Sequence, residues 1–337
     1  MTPSAAGRLA LHSVRASYTI RTGVRRRALV LVLASATALA LARIASAGNG
    51  GLLPPSPQSP NADGIGNVYL FVLCFAAVAF LIVEGALVAF AIRYRRGRRP
   101  RAEEGTQREG GGRAQIAWTV VPAVALAAIA GFVFAKLPGI TDAPAAGAAG
   151  ETSIVVEAHQ FYWLFRYPNG AVTINELVAP AGTVVHLDVT APENDVNHSW
   201  WAPQLGGKID AIPGRTNETW FKAPEGTYAV RCAELCGIQH AVMTGEVRVV
   251  PRTDYVRFLD DGIDEAALGR QQFEGVCLAC HRLDEPFIGP ALAGNPALAD
   301  RIRLEALVRD GVRTMPVVGS TWTEDEIDAL YAYTKGL

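Results

Sequence analysis

The chain has 337 residues, half of them hydrophobic, with 31 basic side chains against 32 acidic ones. One core usually serves roughly 100 to 200 residues, so this length calls for more than one domain, and the charge balance excludes a chain-wide field for nucleic acid. The five cysteines exclude a spread-out disulfide framework, because Cys232 and Cys236, and Cys277 and Cys280, fall into two close pairs beside the isolated Cys74.

Six arginines from Arg8 to Arg27 precede the apolar run Ala28 to Ala42 and then Ala45-Ser46-Ala47, a small-x-small site. This pattern predicts a secretory signal over residues 1–47, with an uncleaved anchor as the other reading. Cleavage leaves 48–66, rich in Pro, Gly and Ser, as a flexible segment without a core. A transmembrane hairpin is expected over 67–137, with apolar spans at 68–92 and 116–137. Between the spans, eight arginines face three glutamates, so the positive-inside rule keeps this loop cytoplasmic and both flanks outside. Glu84 is costly in lipid and is expected to face water or a partner protein.

A linker over 138–152 leads to short period-two runs at 153–157, 183–190, 226–232 and 245–250, bounded by Gly and Pro. These read as strands of an antiparallel sandwich over 153–252. After a linker at 253–264 the period turns helical over 265–337, with Ile302, Leu304, Leu307 and Val308, then Ile327, Leu330 and Tyr331.

Cys232-Ala-Glu-Leu-Cys236-Gly-Ile-Gln-His240-Ala-Val-Met243 lies between two predicted strands. It offers two thiolates, an imidazole and a thioether, a soft set that suits copper, with one Cys too many for a mononuclear blue site. Two thiolates can bridge two metals. His198 then supplies the second imidazole and the Glu234 carbonyl the remaining weak ligand. Tetrahedral zinc and a disulfide are the competing readings of this loop.

With the upstream Asp195-Val-Asn-His198-Ser-Trp200 and the segment Leu205 to Arg215, this loop resembles cytochrome c oxidase subunit II and its dinuclear CuA domain, over roughly residues 66 to 250. The resemblance implies a cupredoxin sandwich in which His198, Cys232, Glu234, Cys236, His240 and Met243 bind copper. It also implies a magnesium ion at the Glu234 side chain, shared with subunit I.

Cys277-Leu-Ala-Cys280-His281 is the c-type haem attachment pattern. On a helix, both thiols share a face and can add to the haem vinyl groups, while His281 takes the iron and Met315 becomes the sixth ligand. Ile288-Gly289-Pro290 resembles the cytochrome c segment whose proline carbonyl orients the axial histidine. A thioredoxin-like dithiol is the alternative for this pair. Together the halves resemble the oxidase type with cytochrome c fused to subunit II. The expected fold is a multi-domain membrane protein: a two-helix transmembrane hairpin, an all-β cupredoxin sandwich and an all-α cytochrome c domain.

Two positions depart from the family pattern. Phe161 replaces the first Trp of the aromatic electron-entry segment, so Phe161 or Trp163 is expected to line the path from a tethered haem. Gln115 replaces the glutamate of a proton-channel entrance, a relay that a neutral amide cannot perform. His159 and His186 lie on strand patterns without ligand spacing and read as structural. The resemblance implies a bacterial inner-membrane, multi-pass subunit with both redox domains on the periplasmic face. It would convey electrons from cytochrome c or the bc complex to subunit I, where oxygen is reduced and protons are pumped. The alternatives are the equivalent subunit of a copper-containing nitric oxide reductase and a membrane-anchored copper-delivery module.

Overall fold

The computed structural model describes residues 53–94, 111–145, 150–262 and 264–337. The expected signal segment and the centre of the arginine-rich loop lie outside these residues. The two apolar stretches form α1 (Pro60–Arg93) and α2 (Gly112–Lys136). They meet where Phe71 stacks on Phe132, with ring centroids 4.0 Å apart. Their most apolar windows are entirely unburied by the chain itself, so lipid or another subunit must cover them.

At 1.5 Å per residue, the 34 residues of α1 extend for about 50 Å, well beyond the roughly 30 Å of a bilayer's hydrocarbon. The surplus corrects the expectation of a flexible 48–66 segment, because the helix begins at Pro60 and its start is pinned to the sandwich. Ser59 Oγ donates to Asn61 Oδ1 at 2.6 Å and accepts from the Lys222 amide at 3.1 Å. Asn61 Nδ2 donates to the Trp220 carbonyl at 2.6 Å. Anchoring by two small polar side chains leaves no hydrophobic pattern to read.

The sandwich contains β1 (Glu151–His159), β2 (Tyr162–Arg166), β3 (Val172–Ile174), β4 (Glu176–Pro180), β5 (Val184–Thr190), β6 (His198–Trp201), β7 (Ile209–Ala211), β8 (Asn217–Phe221), β9 (Gly226–Cys232) and β10 (Thr244–Val250). One sheet has the order β3-β2-β1-β5-β8 and the other β4-β10-β9-β6-β7. The expectation of a purely antiparallel sandwich is corrected: β1 pairs with β5, and β4 with β10, in parallel. Alternation reveals which face of a strand is buried, whereas pairing direction depends on the connections, which alternation does not encode.

Strand β2 is covered on both faces. Trp163 and Phe165 point into the sandwich core with Leu187, Trp200 and Val247. Tyr162 and Leu164 join a second core with Val172, Ile174, Phe273, Val276, Leu304, Trp322 and Leu330. The helical module is therefore packed onto the sandwich through shared apolar surface, the main favourable term in such an association.

The chain reaches that module through α3 (Arg252–Asp261), which replaces the linker expected at 253–264. Tyr255 of α3 is buried in the sandwich core, and Phe258 meets Tyr167 edge-on at 4.9 Å. Then follow α4 (Glu265–Gly275), α5 (Arg301–Asp310) and α6 (Glu324–Thr334). Asp264 and Asp300 cap the first two by accepting amide protons, and Thr323 forms a capping box with Glu326. Ile302, one of the residues that mark the helical period, is 79% exposed, while Leu304 and Val308 carry the contact. Cys277 and Cys280 sit at a turn of 3-10 helix over Cys277–Ala279, after α4 has ended, rather than on an α-helix.

Candidate metal centre and its neighbouring loop

His198 opens β6, Cys232 closes β9, and the loop from Ala233 to Met243 returns the chain to β10. Sheet pairing of Trp200 with Cys232 sets the two strands side by side. The Cys232 amide donates to the Met243 carbonyl at 3.1 Å and the Ala233 amide to the Ser199 carbonyl at 2.8 Å, closing the loop's neck. Gly237, at φ +136°, lies where a Cβ would fall 2.9 Å from the Phe161 ring, so the turn over Phe161 needs a glycine.

This frame gathers the candidate ligands. The Cys232 and Cys236 sulfurs are 3.8 Å apart, as free thiols. His198 Nδ1 lies 3.9 Å from Cys232 Sγ, and His240 Nδ1 lies 3.6 Å from Cys236 Sγ. The Glu234 carbonyl stands 3.2 Å from Cys232 Sγ, and Met243 Sδ 3.9 Å from Cys236 Sγ. Each sulfur thus has its own imidazole and its own weak donor. A metal ion with bonds of about 2.3 Å can reach both sulfurs at once. One tetrahedral zinc would use the two sulfurs and two imidazoles and leave Met243 and the Glu234 carbonyl without a role. The donors therefore fit a copper pair better. The Glu234 side chain is exposed, outside this cluster.

Charge in the cluster is unevenly held. A hydrogen bond from Cys236 is the main cause of a Cys232 thiol below its ordinary range, and His198 and the Ser199 amide add to it. Cys232 in turn pushes the Cys236 thiol up, and burial adds to that shift. Burial disfavours charge on His198, but Asp195 and Cys232 together outweigh it and raise the imidazole above its ordinary value. Asp195 Oδ1 lies 3.1 Å from His198 Nε2, leaving Nδ1 for the sulfur side. Sequence reasoning assigned no such role to Asp195, nor to Gln160, whose Nε2 donates to the Cys236 carbonyl at 2.5 Å. The signal for Asp195 is its spacing, three residues before a candidate ligand histidine.

Phe161 is buried against Gly237, and Trp163 lies deeper, edge-on to Trp200 with centroids 5.2 Å apart. His159 and His186 stand outside the sulfur cluster. His159 is buried, stacked on Tyr162 at 4.7 Å and 3.3 Å from Glu157, while His186 is half-exposed beside Glu151.

On the second loop, the His281 amide donates to the Cys277 carbonyl at 3.0 Å, placing the ring after the two thiols. His281 Nδ1 lies 2.7 Å from the Pro290 carbonyl, which leaves Nε2 free for a metal. A Cβ at Gly289 would fall 2.3 Å from His281 Cε1, so the ring lies flat on a glycine. Both features suit an axial haem ligand. Met315 is half-buried at the edge of the second core. Burial pushes the Cys277 thiol up to about 12 and raises Cys280 as well. A redox dithiol needs the opposite shift.

Residues 171–250 match the family described as cytochrome C oxidase subunit II, periplasmic domain, and residues 48–135 its transmembrane domain. Residues 264–333 match cytochrome C oxidase, cbb3-type, subunit III. Cytochrome c oxidase subunit 2 of Alkalihalophilus pseudofirmus is 31% identical over 315 residues, covering 83% of this chain and 89% of that one. The chain belongs to the cytochrome c oxidase subunit II family. Subunit 2 of Thermostichus vulcanus is 31% identical over 257 residues, covering 61% of this chain and 76% of that one. The periplasmic domain of subunit II of cytochrome oxidase of Bradyrhizobium japonicum is 34% identical, covering 35% of this chain and 95% of that one, at a TM-score of 0.32. Family membership makes this chain subunit II of a haem-copper oxidase, an oxidoreductase complex, carrying a cytochrome c domain. It implies copper and haem c, and a membrane protein with periplasmic domains.

Proposed function

We propose that this subunit passes electrons singly from a periplasmic donor, such as a cytochrome c or the bc complex, to oxidase subunit I. Cys277 and Cys280 would bind haem c covalently, with His281 and Met315 as axial ligands. His198, Cys232, Cys236, His240, Met243 and the Glu234 carbonyl would hold the dinuclear copper centre. These cofactors supply the redox chemistry, and the chain fixes, shields and tunes them. Asp195 keeps the His198 ring in one orientation, Pro290 does the same for His281, and the loop neck between Cys232 and Met243 prevents the ligands from moving apart. A site that changes shape little on reduction transfers electrons quickly.

The exposed Glu234 carboxylate is proposed as a magnesium ligand shared with subunit I. Two spans with a cytoplasmic loop would place both redox modules on the outer face of the bacterial inner membrane. Proton pumping belongs to the complex, with another acid in place of Gln115 at the channel entrance. Phe161 and Trp163, on the sandwich side of the copper loop, are proposed to line the electron path.

The observation that carries this reading is the convergence of four donor groups, two imidazoles, a thioether and a carbonyl, around one pair of thiols. The test is metal analysis and electron paramagnetic resonance of the purified complex. A mixed-valence copper pair alongside a covalent haem is expected. Zinc without copper, or an isolated copper ion, would reject the assignment.

A further inference from the structure

Gln239 directly precedes His240 in the copper loop, and its Nε2 donates to the Ala279 carbonyl at 2.8 Å. Ala279 lies between Cys277 and Cys280, two residues before His281. One hydrogen bond therefore joins the neighbour of a copper ligand to the middle of the haem-attachment turn.

Both ends of this bond are held still. On the copper side, Gln160 holds the Cys236 carbonyl and the His240 amide donates to the Gly237 carbonyl at 3.2 Å. On the haem side, Asn175 Nδ2 donates to the Gly275 carbonyl at 3.3 Å, and the Ile174 amide donates to Gln271 Oε1 at 3.1 Å. Phe273 and Val276, which precede that turn, are buried in the second core beside Tyr162 and Leu164. The haem module is packed against the sandwich, with its attachment turn beside the copper loop.

Electron tunnelling weakens less through bonds than across gaps, so a hydrogen bond between two loops gives a better-coupled crossing than van der Waals contact. Building on the function proposed above, we infer that Gln239 is the positioning residue of the haem-to-copper step, coupling Ala279 to His240 and fixing the separation of the two centres. When bound, haem c would supply one electron and the copper pair would accept it. No covalent bond forms or breaks and no proton moves.

The test is flash-induced electron transfer from haem c to copper in the assembled oxidase, comparing wild type with Gln239→Leu and Gln239→Glu. Leu removes the donor, and Glu keeps the shape but only accepts at neutral pH. Both variants should slow the step about tenfold through lost positioning, with both reduction potentials unchanged. In the metal-free chain, the amides of Gly237 to His240 should exchange faster in both variants than in wild type. Wild-type transfer rates in the two variants would overturn the inference while leaving the cofactor assignment intact. A wild-type complex passing no electron from haem to copper would overturn both.

Discussion

Arg166 of β2 and Glu326 of α6 form an ion pair between the sandwich and the helical module, with Nη1 2.5 Å from Oε1. The same guanidinium holds Glu157 through Nε at 2.6 Å and donates to the Thr321 carbonyl at 2.9 Å. Replacing Arg166 by Ala leaves two largely buried carboxylates without a cation, a loss that typically costs about 3–5 kcal/mol. Arg166→Ala should therefore lower unfolding stability by about 3 kcal/mol, the lower end because the side chain is 23% exposed. Chemical denaturation measures it, and a loss below about 1 kcal/mol would mean that solvent already screens the pair.

Acid should loosen the same junction. Burial raises the Glu157 carboxyl, but His159, Arg166 and Thr321 outweigh it and lower it to about 2 from an ordinary 4.5. A depressed folded value gives stability that is complete above about 4.5 and is lost as pH falls towards 2. The loss is about 3 kcal/mol, at 1.36 kcal/mol per unit. Unfolding free energies of wild type and Glu157→Gln between pH 5 and 2.5 should converge on acidification. Parallel curves would show that Glu157 is not the titrating group.

Asp195→Ala removes the acceptor that fixes the His198 ring. Loss of such a partner commonly weakens metal affinity by about 10–100-fold. Competitive copper titration should show that loss with the fold retained, and an unchanged affinity would mean that sheet packing alone orients His198.

Gly289→Ala should displace His281, because its Cβ would enter the imidazole ring. The expected result is loss of the low-spin haem spectrum, whereas Gly336→Ala, with open space around it, should keep that spectrum. A normal haem spectrum in Gly289→Ala would remove His281 from the axial position.

The candidate ligands were legible in the sequence because metal chemistry restricts both residue type and spacing: Cys232, Cys236, His240 and Met243 occupy one twelve-residue loop. Three of the supporting contacts were not. Gln160 and Gln239 reach carbonyls 76 and 40 residues away, and such bonds leave no periodic trace. Asp195 left only its spacing. Strand β2 was hidden for another reason: Tyr162-Trp163-Leu164-Phe165 is a continuous apolar run, and a short run of that kind does not distinguish strand from buried helix. Its lack of alternation follows from the two cores that flank it. Helix α3 does carry a readable sign, since Tyr255, Phe258 and Leu259 stand at helical spacing within the expected linker.

The double-sided burial of β2 also bears on how such a fusion can be taken apart. Severing the chain after α3 would not liberate a finished cupredoxin, because Tyr162, Leu164, Val172 and Ile174 would become a greasy patch on its outer wall. A solitary version of this module would need that wall repainted with polar side chains.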